Sequence, residues 1–129
     1  MNREIKFRGY NYQYGKWFYG SLFIQKYDND FMLSSSQTMI IDDRGYSVMV
    51  DNGTIGEYTG LKDKSGVDIY EGDIIEYKDS TGKHVKEVEF DKGCFYAGLH
   101  GGSSTRVSPK LINTRISKVI GNIYENEVD

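Results

Sequence analysis

From Gly56 to Ile75 the chain sets polar turn signals between short apolar β-type pairs at close, regular intervals, a pattern that specifies strands joined by tight turns. Asp63-Lys64-Ser65-Gly66 has the composition of a β-turn: the carboxylate can reach backbone N–H groups just ahead of it, and glycine is free to take positive φ. Glu71-Gly72-Asp73 repeats that grammar, and the β-branched pair Ile74-Ile75 then opens a strand. Eleven tyrosines and 15 glycines with a single proline suit such a chain. The spacing predicts that residues 57–125 form a small, strongly bent antiparallel barrel, with Ile69, Ile74, Val88, Phe90, Val119 and Ile123 in its core.

The remaining chain reads the same way. Glu4-Ile5-Lys6-Phe7-Arg8 alternates, which places Ile5 and Phe7 on the buried face of a strand and Glu4, Lys6 and Arg8 on the open one. Gly9 to Gly15 reads as a loop, with Gly15-Lys16 at the tip of a hairpin that returns through Trp17 to Ile24. Asp28-Asn29-Asp30 is a turn, and Ser34-Ser35-Ser36-Gln37 separates two short apolar runs, Phe31-Met32-Leu33 and Met39-Ile40-Ile41. Asp42-Asp43-Arg44-Gly45 leads to Val48-Met49-Val50, and the turn cluster Asp51-Asn52-Gly53 marks a boundary between an N-terminal β region, 1–53, and a second domain, 54–129. Later, Asp79-Ser80-Thr81-Gly82 turns the chain into the alternating Glu87-Val88-Glu89-Phe90, and Ser108-Pro109 caps a single helical turn through Asn113. Residues Ile116 to Glu125 close the chain as a strand whose central Gly121 marks a bend or a close backbone approach.

A chain of 129 residues buries about two-thirds of its unfolded surface, enough for a real core. Cys94 is alone, so no intramolecular disulfide is expected, and without an apolar segment after Met1 the chain reads as cytoplasmic. No run approaches the roughly 20 apolar residues that cross a bilayer, so no membrane association is expected. Sixteen Lys and Arg against 19 Asp and Glu give a net charge of −3, which argues against a general polyanion binder. The acid excess is concentrated between residues 57 and 92, which hold 10 acidic and 6 basic residues.

Three blocks carry a resemblance. Thr54-Ile55-Gly56-Glu57-Tyr58-Thr59-Gly60-Leu61-Lys62-Asp63 with Gly66, then Ile69-Tyr70-Glu71-Gly72-Asp73-Ile74, then Val119-Ile120-Gly121-Asn122-Ile123-Tyr124-Glu125-Asn126, resemble the signature blocks of the YopX family of phage and prophage proteins. Arg3-Glu4-Ile5-Lys6-Phe7-Arg8 fits that family's opening, and residues 93–115 match least. The resemblance implies an all-β chain, an N-terminal short-strand region followed by a small SH3-like antiparallel β-barrel, in a protein of bacterial-virus origin acting in the host cytoplasm. It carries no catalytic residues to this chain.

The residues themselves offer little chemistry. His100-Gly101-Gly102 lacks the serine elbow that an oxyanion loop would serve, and His84 reads as an exposed hairpin histidine. Two histidines and one cysteine far apart leave any transition-metal site to carboxylates, so neither a metal nor a cofactor is expected. Glu71 and Asp73 flank Gly72 as turn-stabilising groups rather than an acid–base pair, and Cys94 reads as a buried, inert thiol. Asp28-Asn29-Asp30 lacks the glycine and distal glutamate of a calcium loop.

One stretch has interaction character. Arg3, Lys6, Arg8 and Lys16 are interleaved with Tyr12, Tyr14 and Trp17, and basic groups beside aromatics suit either a single strand of nucleic acid or a protein interface. The acidic chain as a whole favours the protein. The expected function is a non-enzymatic accessory role exercised through a protein partner or a homo-oligomer, with single-stranded nucleic-acid binding as the alternative.

Overall fold

The computed structural model describes residues 4–28, 34–91, 93–99, 110–111 and 115–125. They form an all-β protein of two antiparallel sheets. Contacts divide the chain into two units, Met1–Glu57 and Tyr58–Asp129. The turn cluster Asp51-Asn52-Gly53 lies inside the first of these, where Asn52–Thr54 forms a 3-10 turn whose N-cap, Asp51, accepts the Gly53 N–H.

The first unit is built from β1 (Phe7–Asn11), β2 (Lys16–Asp28), β3 (Ser34–Ile41) and β4 (Ser47–Met49), joined as consecutive antiparallel neighbours. Gly9 to Asn11, expected in a loop, extend β1 instead, because Tyr10 and Asn11 pair with Trp17 and Lys16 across a shorter turn. Ser34 to Gln37 are likewise strand, not a separator: the thirteen-residue β2 supplies a ladder partner for each of them. Asn29, Asp30 and the run Phe31-Met32-Leu33 lie outside the described residues. Ile40 and Val50 are buried, and Asp51 N donates to the carbonyl of Tyr10 while the Tyr10 N–H donates to Thr54 Oγ1, so the end of the unit folds back onto β1.

The alternation at the start does not decide burial, since Phe7 is half-buried and Arg8 to Asn11 are buried on both faces of β1. Ile5 is 67% exposed and precedes the strand, whereas Arg8 is only 5% exposed. The reason is an aromatic partner that alternation cannot anticipate: the Arg8 guanidinium lies over the Trp17 ring, 4.8 Å from its centroid, and the side-chain stem is buried with it.

The second unit contains the rest of β5 (Gly56–Lys62), β6 (Asp68–Tyr70), β7 (Asp73–Asp79), β8 (Gly82–Asp91), β9 (Cys94–Leu99), β10 (Lys110–Leu111) and β11 (Lys118–Asn122). Strands β7 to β11 form a sheet in the order β10-β9-β8-β7-β11, and β5 pairs with β6. Among the described strands no ladder joins β10 to β11, so the sheet is open and the expected barrel is not closed. The turn expectations hold at Gly66 and Gly72, with φ of 85° and 91°. A register shift between Val119 and Gly121 makes the irregularity expected at Gly121 a β-bulge.

Ile69, Ile75 and Val88 form the core, with Ala97 and Val119 packed against them. Ile74 is buried too, so β7 is covered on both faces, and Ile75 was missed because a period-2 reading assigns only one of two neighbours to the interior. Phe90 shares a face with Val88 but is 48% exposed: it lies next to the β8–β9 turn, where its cover is the ring of its cross-strand partner Phe95, 4.9 Å away. Cys94 is exposed rather than buried, since it sits at the turn end of β9 opposite Asp91. Lys110 and Leu111 are strand, paired with Ala97 and Tyr96, not part of a helical turn, because β9 offers a free edge there. The other residues of that expected turn, Ser108, Pro109, Ile112 and Asn113, and the triplet His100-Gly101-Gly102 lie outside the described residues.

Candidate functional site

Asn11 shapes the first hairpin. Its Nδ2 donates to the Met49 carbonyl at 2.7 Å, its Oδ1 accepts the Tyr14 N–H at 2.7 Å, and Gly15 N closes the turn onto the Asn11 carbonyl. Tyr12 and Tyr14 are thereby held on the tip, 56% and 64% exposed. A matching turn joins β3 to β4: Asp42 Oδ1 accepts the N–H groups of Arg44 and Tyr46, and Oδ2 accepts from Arg44 Nη2 at 3.1 Å. Desolvation pushes the Asp42 carboxyl up, but the N–H of Tyr46 and the donors of Arg44 outweigh it and hold its pKa below the ordinary carboxylate value.

Between these turns lies a groove of about 310 Å³ lined by Tyr14, Lys16, Phe18, Arg44, Tyr46 and Val48, among others. Lys16 Nζ stands 5.4 Å from the Phe18 ring centroid and the Arg44 guanidinium 5.2 Å from that of Tyr46, while Tyr14 meets Phe18 edge-on at 6.1 Å. Tyr46 is 69% exposed. The groove thus presents aromatic rings with cations laid on their faces.

The seven residues expected to act together do not share a surface. Arg3 lies outside the described residues. Lys6 is 2.7 Å from the Glu4 carboxylate. Arg8, Tyr12 and Trp17 belong to one face of the β1–β2 hairpin, where Tyr10 meets both Tyr12 and Trp17 edge-on. Lys16 and Tyr14 turn to the other face and join the groove. Arg44 and Tyr46 were missed. Their turn, Asp42-Asp43-Arg44-Gly45, was legible, but nothing in it says that it folds beside residues some thirty positions earlier.

In the second unit the displaced carboxylates have structural causes. Burial pushes the Asp63 carboxyl up, but N–H groups from Val119, Val67 and Ser65, and the charge of Lys118, hold it below its ordinary value. Asp73 Oδ2 accepts the Tyr70 N–H at 2.8 Å, a turn contact. Asp79 accepts from the Thr81 hydroxyl and N–H and meets His84 Nε2 at 3.0 Å, and these contacts lower its pKa to about 2. His84 stacks on Tyr77 with centroids 5.0 Å apart. Because the folded pKa lies below the ordinary 3.8, this contribution to stability is complete above that value and disappears as pH falls towards 2. An NMR titration of the Asp79 carboxyl is expected to show a midpoint near 2, and a midpoint at the ordinary value would mean that the Thr81–His84 arrangement does not persist in solution. Among the described residues, no group of three or more His, Cys, Asp or Glu side chains is placed to hold a metal ion, and no helix is long and apolar enough to cross a membrane.

A comparison with curated proteins finds no match. Among solved structures, the chain is similar to the crystal structure of protein EF1440 from Enterococcus faecalis, at 22% identity and a TM-score of 0.54, covering 98% of this chain and 97% of the other. That likeness concerns the fold alone. The family model described as YopX protein matches residues 6–128, nearly the whole chain and all three blocks singled out in the sequence, and the chain belongs to the YopX family.

Proposed function

We propose that this chain is a non-enzymatic phage or prophage accessory protein that works in the host cytoplasm by binding a protein partner. The observation that carries this reading is the groove of the first unit. Exposed Tyr14 and Tyr46, with Lys16 and Arg44 over ring faces, have the composition of an interface hot spot, in which rigid aromatic area and arginine supply most of the binding energy. Its size suits one or two anchoring side chains of a partner, and its two cations favour an acidic residue beside that anchor. The displaced carboxylates of Asp42, Asp63 and Asp79 all serve turns, which supports a binding protein over an enzyme.

Nucleic-acid binding through the N-terminal stretch has less support, because Arg8 is buried against Trp17 and Lys6 is engaged by Glu4. The finer fold reading is an SH3-like arrangement of the second unit. Its support is that β11 is tied both to β7 and to the β5–β6 hairpin, through Lys64 N to the Ser117 carbonyl and Val119 N to Asp63 Oδ2.

Capture from infected host cells with the intact chain and with a Tyr14→Ala/Tyr46→Ala variant tests the function. Both side chains are exposed, so the variant is expected to melt like the parent and to lose a specific protein that the parent retains. The same proteins recovered with both chains would sink the groove as the binding site.

A further inference from the structure

Strand β3 leaves part of one edge open. Every residue of Ser34–Ile41 pairs with β2, but on the other side β4 covers only Met39, Ile40 and Ile41. Val50 N then donates to the Thr38 carbonyl, and the chain turns away, with Asp51 N donating to the carbonyl of Tyr10. The Thr38 bond fixes which way the backbone faces. The N–H and C=O of one strand residue point to the same side, and the side alternates along the strand, so Ser36 also aims both groups away from β2. Among the described residues no strand meets them, and Ser36 is exposed. Ser34-Ser35-Ser36-Gln37 carries neither a charge nor a proline, two of the devices that keep an edge from pairing. The edge strand β11 of the second unit, by contrast, has both a lysine, Lys118, and a bulge.

A cavity of about 340 Å³ adjoins this edge, lined by Tyr12, Gln13, Ser36, Thr38, Asp51 and Asn52, among others. The Thr38 hydroxyl donates to Asn52 Oδ1, and Asp51 Oδ1 accepts the Gly53 N–H, contacts that hold Asn52 and Asp51 beside the open strand. Asp51 is the one charged residue among the described residues that line the cavity.

We propose that the open edge of β3 takes up an extended segment of a protein partner as an added strand, and that a lysine or arginine of that segment enters the cavity beside Asp51. In this mode of recognition main-chain hydrogen bonds supply affinity, and a pocket along the edge supplies specificity. The carboxylate, with amides and hydroxyls around it, suits a cationic donor. A second copy of this chain would present Ser34 to Gln37, which hold no cation for Asp51. None of the groove residues Tyr14, Lys16, Arg44 and Tyr46 lines this cavity, so the site does not rest on the groove.

Selection of a linear peptide phage library on the full chain, followed by fluorescence anisotropy of the enriched peptide, tests it. The enriched peptide is expected to lack proline and to carry a recurring lysine or arginine. Methylating its backbone nitrogens one at a time should weaken binding at alternate positions only, because a strand turns its N–H groups to one edge every second residue. That measurement needs only the parent chain. Ser36→Pro removes an outward N–H but no ladder bond to β2, so it is expected to keep the urea midpoint and to weaken binding by roughly tenfold or more. Asp51→Asn retains a good N-cap and should erase the advantage of the basic peptide over its glutamine form. The Tyr14→Ala/Tyr46→Ala variant is expected to bind as the parent does. No enriched peptide, an enriched acidic one, methylation effects without alternation, or undiminished binding by Ser36→Pro would overturn the proposal. A parent that sediments as a dimer, binds no peptide and becomes a monomer on Ser36→Pro would overturn it too, giving the edge to a second copy.

Discussion

Replacing Asp63 by alanine is expected to destabilise the second unit by about 3 kcal/mol or more. The carboxylate is 6% exposed and accepts three backbone N–H groups: Ser65 at 2.8 Å and Val67 at 2.9 Å on Oδ1, and Val119 at 2.9 Å on Oδ2. Two of these bonds hold its own turn, and the third reaches 56 residues along the chain to tie β11 down. Alanine would leave three donors without their acceptor, each costing about 1–3 kcal/mol where it is shielded from water. Asp63→Asn separates the roles. Its remaining oxygen can serve Ser65 and Val67, but its amide turns a donor towards the Val119 N–H, so a smaller loss centred on β11 is expected. Urea unfolding gives the magnitudes, and amide hydrogen exchange at Val119 gives the location. The acid limb follows with a definite sign: the folded pKa is depressed, so this stabilisation is complete above 3.8 and is lost as pH falls through the folded value. An alanine variant as stable as the parent would mean that the ladder to β7 and the Lys64 N–Ser117 carbonyl bond suffice to hold β11.

Gly20→Ala is expected to cost the first unit about 3 kcal/mol or to prevent its folding. Strand β2 changes partner at this residue, pairing with β1 through Gly20 and with β3 from Ser21 onward. The backbone there has φ of 157°, and a Cβ would stand 2.1 Å from the Ile41 carbonyl oxygen and 2.8 Å from its carbon. Those are backbone atoms of the next strand, with no rotamer to move away, so the pair Ser21↔Ile41 must part. Gly45→Ala is the control: φ is 90° but nothing lies within 4 Å of the added carbon, so only backbone strain of about 1 kcal/mol is expected. Thermal melts of the two variants should therefore differ clearly, and equal midpoints would show that strain rather than close strand approach governs Gly20.

Local chemistry is what the sequence by itself determined. The turns at Asp42–Gly45 and Asp63–Gly66 and the bend at Gly121 follow from side chains and φ preferences acting within a few residues, and the structure has them where composition put them. The all-β character follows from the same signals, repeated along the chain. The tertiary structure decided everything that depends on a distant partner. Arg8 is inside because Trp17 offers it a ring, Ser34 to Gln37 are strand because β2 continues past them, and Phe90 is half-exposed because it reaches the end of its ladder. The groove falls on this side too: Tyr14 lies beside Arg44 and Tyr46 only because two hairpin turns fold to one place. Charge counted along a sequence averages over both faces of every strand, whereas a strand sends alternate residues to opposite sides, so only the paired sheet reveals which charges stand together.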